Sequence, residues 1–200
     1  MNRKKIHEFF KRLDISLDQK AVVIVVGASA ASLMGHVRPS FDIDFEIRLN
    51  RNTSAQKRKL AETILKAARE TGVAVNFSEN IGGWSMVSYL DYRKTALPYK
   101  KFGKLDVQLI EPAYWTIGKM TRFLELDIQD MVKIIRKKKI KPGRVISVWA
   151  QAFQASDLSL ELGQFREHVL FFIKQYSKKI WGKNAKPDVL SQMFLKQIDV

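Results

Sequence analysis

The sequence predicts an α/β (α+β) domain with a mixed sheet, followed by a helical C-terminal part. Residues 21–26, AVVIVV, form an unbroken run rich in β-branched side chains, the composition of a strand buried on both faces. Residues 41–49, FDIDFEIRL, alternate apolar and polar side chains with the period of a half-buried strand. Beyond Glu111 the apolar residues recur at helical spacing instead. The boundary therefore falls between residues 110 and 111, with 111–200 expected to pack on 1–110 in one body.

In chain order, Ile6, Phe9, Phe10 and Leu13 share one face of a basic opening helix that ends near residues 14–18. The strand at 21–26 stops at Gly27. Residues 29–34 carry alanines and larger apolar side chains at helical spacing, closed by Gly35. A polar turn at 36–40 leads into the strand at 41–49. A second turn, at 50–53, leads into a helix at 54–71 that ends at Gly72 and turns Leu60, Ile64 and Leu65 inward. Residues 73–77 and 84–90 read as two strands around Gly82 and Gly83, and 92–103 as a basic, aromatic loop. In the strand at 105–110, Leu105, Val107 and Leu109 face one way and Asp106 and Gln108 the other. Helices are expected at 113–124, 127–138, 142–155, 158–179 and 187–197, with Pro112, Pro142 and Pro187 at helix starts.

The composition excludes some chemistry and favours other chemistry. With no cysteine there are no disulfides, zinc-thiolate sites or cysteine nucleophile, which suits a reducing cytoplasm. The N-terminus has no sustained apolar region of the signal-peptide kind. The apolar run at 21–26 is far short of the ~20 residues of a membrane span, so a cytoplasmic protein without membrane contact is expected. The 35 lysines and arginines against 20 aspartates and glutamates leave a net charge of +15, which favours polyanionic partners.

Asp42 and Asp44 are the first candidates for chemistry. Two residues apart on one strand, they project from the same face, where like charges repel unless a divalent cation such as Mg²⁺ or Mn²⁺ lies between them. Asp106 repeats the pattern on a later strand. Taken alone, D-x-D spacing fits a solvated strand face better than a metal site. The turn Gly27-Ala28-Ser29, between a buried strand and a helix, offers backbone N–H groups and a hydroxyl to an anion, though small residues in a tight turn need no ligand. It is neither a G-x-x-x-x-G-K-[ST] loop nor a G-x-G-x-x-G fingerprint.

In combination these residues resemble the nucleotidyltransferase superfamily of the polymerase β type. They follow its order of strand, glycine turn, helix, R-x-[ST]-x-D-x-D and a later h-D-h strand. Within that superfamily, VVGASAASLMGHVRPSFDIDFEI is similar to the toxin-like group that includes the abortive-infection AbiEii proteins and minimal nucleotidyltransferases of toxin-antitoxin systems. The resemblance implies a nucleotidyltransferase-like catalytic domain over 1–110 that transfers NMP from ATP or another NTP with Mg²⁺ or Mn²⁺. Asp42, Asp44 and Asp106 would bind metal, and Asp106 would help deprotonate the acceptor hydroxyl. Gly27, Ala28 and Ser29 would cradle phosphates, with Arg38 and Ser40 at the motif's arginine and [ST] positions. The motif often has Gly or Ser directly after its first glycine, where this chain has Ala28. Related proteins also place a lysine and an acid on helices facing the triphosphate, and Lys119 with Asp127 or Asp130 stands in that order. By themselves those three residues equally fit a solvated helix surface and a helix-start acid.

Residues 133–144, KIIRKKKIKPGR, hold seven basic residues and no acid, and 92–104 mix cations with Tyr92, Tyr99 and Phe102. Basic residues interleaved with rings suit nucleic acid. These regions favour RNA or DNA over a small-molecule acceptor, and the resemblance implies RNA, with tRNA and an antitoxin protein as partners. An inactive RNA- or protein-binding module, and an enzyme acting on a small hydroxylated compound as antibiotic-modifying nucleotidyltransferases do, remain the alternatives.

Overall fold

The structure is a computed structural model that describes residues 1–35, 40–49 and 53–199. Five strands among the described residues form one mixed sheet: β1 (Ala21–Val25), β2 (Asp42–Leu49), β3 (Ala74–Ser78), β4 (Leu97–Phe102) and β5 (Leu105–Leu109), in the order β3-β2-β1-β5-β4. The β-branched run of β1 lies at the centre, antiparallel to β2 and parallel to β5. On the outer sides β2 pairs parallel with β3, and β4 and β5 form an antiparallel hairpin.

The helices are α1 (Arg3–Ser16), α2 (Gly27–Leu33), α3 (Ser54–Thr71), a single turn α4 (Tyr92–Thr95), α5 (Pro112–Arg122), α6 (Glu125–Lys137), α7 (Pro142–Gln154), α8 (Leu160–Trp181) and α9 (Pro187–Ile198). Contacts divide the chain into two compact units. One comprises Met1–Ile81 with Arg93–Ile110, the other Gly82–Tyr92 with Glu111–Val200.

In the first unit, alternation along β2 decides which face is buried. Ile43, Phe45 and Ile47 are fully buried, and α1 supplies Phe9 and Phe10, whose rings each lie 5.8 Å from that of Phe45. Phe45 in turn stacks on Phe77 of β3 at 5.9 Å. The opposite face carries Asp42, Asp44, Glu46 and Arg48. Helix α3 begins with a capping box in which Thr53 and Gln56 satisfy each other's backbone N–H groups, and it ends at Gly72 in the left-handed region.

The second unit is built from helices whose apolar stripes meet around Trp149, Phe165, Phe172 and Phe194, all fully buried. Burying an indole also buries its N–H, which here donates to Thr116 Oγ1 at 2.8 Å. Among the described residues no helix is long and apolar enough to cross a membrane.

Two expectations are corrected. Residues 84–90 are not a strand: a 3-10 turn at Ile81–Trp84 leads into bends, and Leu90 takes a positive φ of 56°. Serines explain the difference. Val87 N–H donates to Ser85 Oγ, Ser88 N–H to Ser156 Oγ and Leu90 N–H to Ser88 Oγ, so side chains replace the ladder a strand would need. Residues 92–103 are not all loop, since Leu97–Phe102 pairs with β5 as an edge strand. Pro98 and adjacent lysines masked it, and both are features that edge strands tolerate.

Candidate functional site

The site grows from β2 and its parallel neighbour β3. Asp42 pairs in register with Ala74, and Asp44 with Asn76. Side chains alternate on both strands, so Asp42, Asp44 and Asn76 point to one face. There the Asn76 amide donates to both carboxylates, to Asp42 Oδ2 at 2.8 Å and to Asp44 Oδ1 at 2.9 Å. A neutral NH₂ group thus bridges two like charges, and Ser40 Oγ lies 3.4 Å from the other Asp42 oxygen. Asp42 and Asp44 are half-buried, while Asn76 is exposed.

Asp44 also explains Gly27. With φ at +59°, Gly27 opens α2 directly beside this carboxylate, and a Cβ added there would lie 2.0 Å from Asp44 Oδ2. No other residue type leaves room for the two to sit as they do. Behind the turn, Ser29 is fully buried. Its hydroxyl donates to the Val26 carbonyl at 2.9 Å and accepts from Asp44 N–H at 3.3 Å. Ser29 therefore fastens the turn to β2, which corrects the expectation that its hydroxyl meets phosphate. Ala28 is half-buried at the turn. Ser40 is likewise buried, and its hydroxyl donates to the Asp42 carbonyl at 2.5 Å, fixing the start of β2. Arg38 lies outside the described residues.

Asp106 does not join the pair, and this corrects the three-carboxylate site. β1 lies between β2 and β5. Val22 pairs with both Asp106 and Arg48, whereas Asp44 is level with Val26, whose N–H donates to the Asp44 carbonyl at 2.9 Å. Four residues along the strand are ~13 Å, and two strand spacings add ~10 Å across the sheet. Alternation placed Asp106 on the same face as the pair, but a single sequence carries no information on register. Among the described residues no group of three His, Asp or Glu side chains is arranged to hold a metal ion.

Glu46, the third acid on that strand face, has a different task. It is fully buried, its two oxygens accept from Arg93 Nε at 2.7 Å and Nη2 at 3.1 Å, and Ile81 N–H donates to it at 3.2 Å. Arg48 Nε lies 3.0 Å away. A buried carboxylate needs such company, so Glu46 anchors the chain near Ile81 and Arg93. Nothing in the spacing D-x-D-x-E distinguishes it from its two neighbours.

Tyr99, in the loop expected to meet nucleic acid, is likewise engaged within the chain. Tyr99 hydroxyl accepts from Arg3 Nε at 2.9 Å and lies 2.7 Å from His7 Nε2. Burial, with Lys100 and Arg3 nearby, lowers the His7 pKa.

In the second unit, Lys119, Asp127 and Asp130 do come together. The Lys119 ammonium, only 3% exposed, donates to Asp127 Oδ1 at 2.6 Å and to Asp130 Oδ2 at 3.1 Å. Arg122 closes on Asp127 with Nη2 at 2.8 Å from Oδ1 and Nε at 3.1 Å from Oδ2. The trio is an interior ion-pair cluster joining α5 to α6, which corrects the expectation of a lysine and acid presented to a triphosphate. Spacing brought the right residues together, but burial decided their use.

No protein-family model, no curated protein and no solved structure matches the chain. What its site can do therefore rests on the side chains themselves.

Proposed function

We propose that the chain is a divalent-cation-dependent nucleotidyltransferase that moves a nucleoside monophosphate from an NTP to an acceptor hydroxyl. The acceptor is RNA, with tRNA as the specific candidate, and the protein is the toxin of a toxin-antitoxin pair. The observation that carries this reading is the joining of the Asp42 and Asp44 carboxylates through Asn76, hard against the Gly27 turn. The donor set fits the ion: paired, half-exposed carboxylates are hard oxygen ligands of the kind Mg²⁺ or Mn²⁺ takes. Bound to Asp42 and Asp44, the cation would neutralise triphosphate charge.

The chain's own residues orient the rest. Gly27 lets the turn come close to Asp44, Ser29 and Ser40 hold the two strand ends, and Asn76 spaces the carboxylates. The acceptor hydroxyl gives its proton to solvent water as its oxygen forms a bond to the α-phosphorus, the bond to the bridging oxygen of the β-phosphate breaks, and pyrophosphate leaves. Asp106 is assigned no role in that step.

Incubation with each α-labelled NTP, Mg²⁺ and total RNA is expected to label RNA, and Asp42→Asn with Asp44→Asn to reduce labelling by ~100-fold or more, as loss of several kcal/mol of charge stabilisation would. Absence of transfer with every NTP, or transfer that survives the double substitution, overturns the reading. A second reading, a module that binds nucleotide or RNA without transferring anything, is favoured by the separation of Asp106 from the pair. It predicts tight RNA binding with no label incorporated.

A further inference from the structure

The second unit contains a surface that the proposed chemistry does not use. A concavity of about 290 Å³ lies between α6 and α8, floored by Ile128, Val132 and Tyr176 and rimmed by Lys133, Arg136 and Lys179. Arg136 also borders a larger groove of about 640 Å³, where the start of α7 and α9 meet the ends of α6 and α8. Ile140, Ile180 and Trp181 line its floor, and Lys139, Lys141 and Lys186 its rim. The two hollows therefore form one track with a shared arginine.

Three properties of the track point to one class of occupant. The first is charge: its six cations, Lys133, Arg136, Lys139, Lys141, Lys179 and Lys186, are all exposed, and none of them forms an ion pair among the described residues. Some cations elsewhere meet carboxylates, as Lys119, Arg122 and Arg93 do, but what marks the track is that its six line one continuous pair of hollows. Glu125, at the far end of the smaller hollow, is the acid along the track. The second is the pair of rings at its floor. Tyr176 and Trp181 are half-buried. Trp181 is held in place by its N–H, which donates to the Ile140 carbonyl at 2.8 Å, and Tyr176 rests 5.3 Å from the Phe172 ring. The third is shape, because concave segments bordered by cations accept a flexible chain better than they fit a flat bilayer. A duplex presents phosphates outward and keeps its bases stacked, whereas a single strand can offer phosphates to the rim and unstacked bases to the floor.

We infer that this track binds single-stranded RNA, with Lys133, Arg136 and Lys139 meeting phosphates and Tyr176 and Trp181 meeting bases. The inference deepens the reading of RNA as acceptor and rests on it for the choice of RNA over other single strands. An acidic amphipathic peptide is the competing occupant, since part of the floor is aliphatic.

The test uses the full-length protein and a fluorescein-labelled 12-nucleotide single-stranded RNA of mixed sequence, read by fluorescence anisotropy between 50 and 200 mM KCl without NTP or divalent metal. The triple variant Lys133→Gln, Arg136→Gln, Lys139→Gln is expected to bind at least tenfold more weakly, with a log-log salt slope shallower by about 2. Tyr176→Leu is expected to cost about tenfold in affinity without changing that slope. A control triple on exposed α3 positions, Arg58→Gln, Lys66→Gln, Arg69→Gln, removes the same charge and is expected to change affinity less than threefold. Circular dichroism melts confirm that each variant is folded. Wild-type affinity in the track triple, an equal loss in the control triple, or displacement of the RNA by a glutamate-rich amphipathic peptide or phosphatidylserine vesicles at lower concentration than by unlabelled RNA overturns the inference. Because binding is read without NTP, the two proposals fail separately. Track-dependent RNA binding without label transfer would sink only the transferase reading; RNA labelling with an indifferent track would sink only this one.

Discussion

Gly27 and Gly72 differ by 3° in φ, at 59° and 62°, yet a Cβ would meet different surroundings at each: it would collide with Asp44 at the first and find nothing within 4 Å at the second. Comparing them isolates the effect of the carboxylate. Gly72→Ala is expected to cost about 1 kcal/mol, the strain of a left-handed alanine. Gly27→Ala carries the same strain and must also displace Asp44, so a loss of about 2 kcal/mol or more is expected. Urea unfolding of the two variants side by side checks this, and equal losses would mean that Asp44 gives way freely. At the same scale, Ser29 and Ser40 show why a motif residue need not touch a ligand. Each hydroxyl has a backbone partner within 2.9 Å, and burial removes it from anything dissolved.

Among the elements, α5 and α6 are joined by the Lys119, Asp127, Asp130 and Arg122 cluster. Replacing Lys119 by methionine keeps the volume and the contact with Trp115, whose ring lies 5.4 Å from the ammonium, but removes the cation shared by two buried carboxylates. Removing one member of a buried pair typically costs 3–5 kcal/mol, because the remaining charge stays desolvated. Lys119→Met is therefore expected to destabilise the protein by about 3 kcal/mol, and adding Asp130→Asn to recover part of that loss. Chemical denaturation of the single and double variants measures both. Recovery is the informative part, since a loss without recovery would mean that lost packing, rather than an uncompensated charge, is responsible. The β4 edge teaches a related lesson about elements: Leu97–Phe102 becomes a strand because β5 offers it a ladder, not because its own residues favour one.

For the whole molecule, the net charge of +15 dominates. Such an excess repels itself in the compact state, and salt screens it over a Debye length of ~10 Å at 0.1 M. Raising KCl from 50 to 500 mM is thus expected to raise the midpoint of thermal unfolding by a few degrees, as followed by circular dichroism. A lower midpoint at high salt would show that the surface ion pairs, such as Lys57 with Glu79 and Lys59 with Asp18, outweigh the repulsion. The sequence by itself determined the period of each main element: the central β-branched strand, the strand carrying Asp42 and Asp44, the helix from Ser54 to Thr71 and the helical second half. It did so because period and punctuation are local properties, set by neighbours along the chain. It also put Asp42 and Asp44 on one face, since alternation is local too. Only the tertiary structure decided the partners: Asn76 at the aspartate pair, Asp106 four residues out of level with it, Glu46 closed on Arg93, and Lys119 turned into an interior ion pair. Register between strands and burial between helices depend on residues far apart in sequence, and no spacing within one segment encodes them.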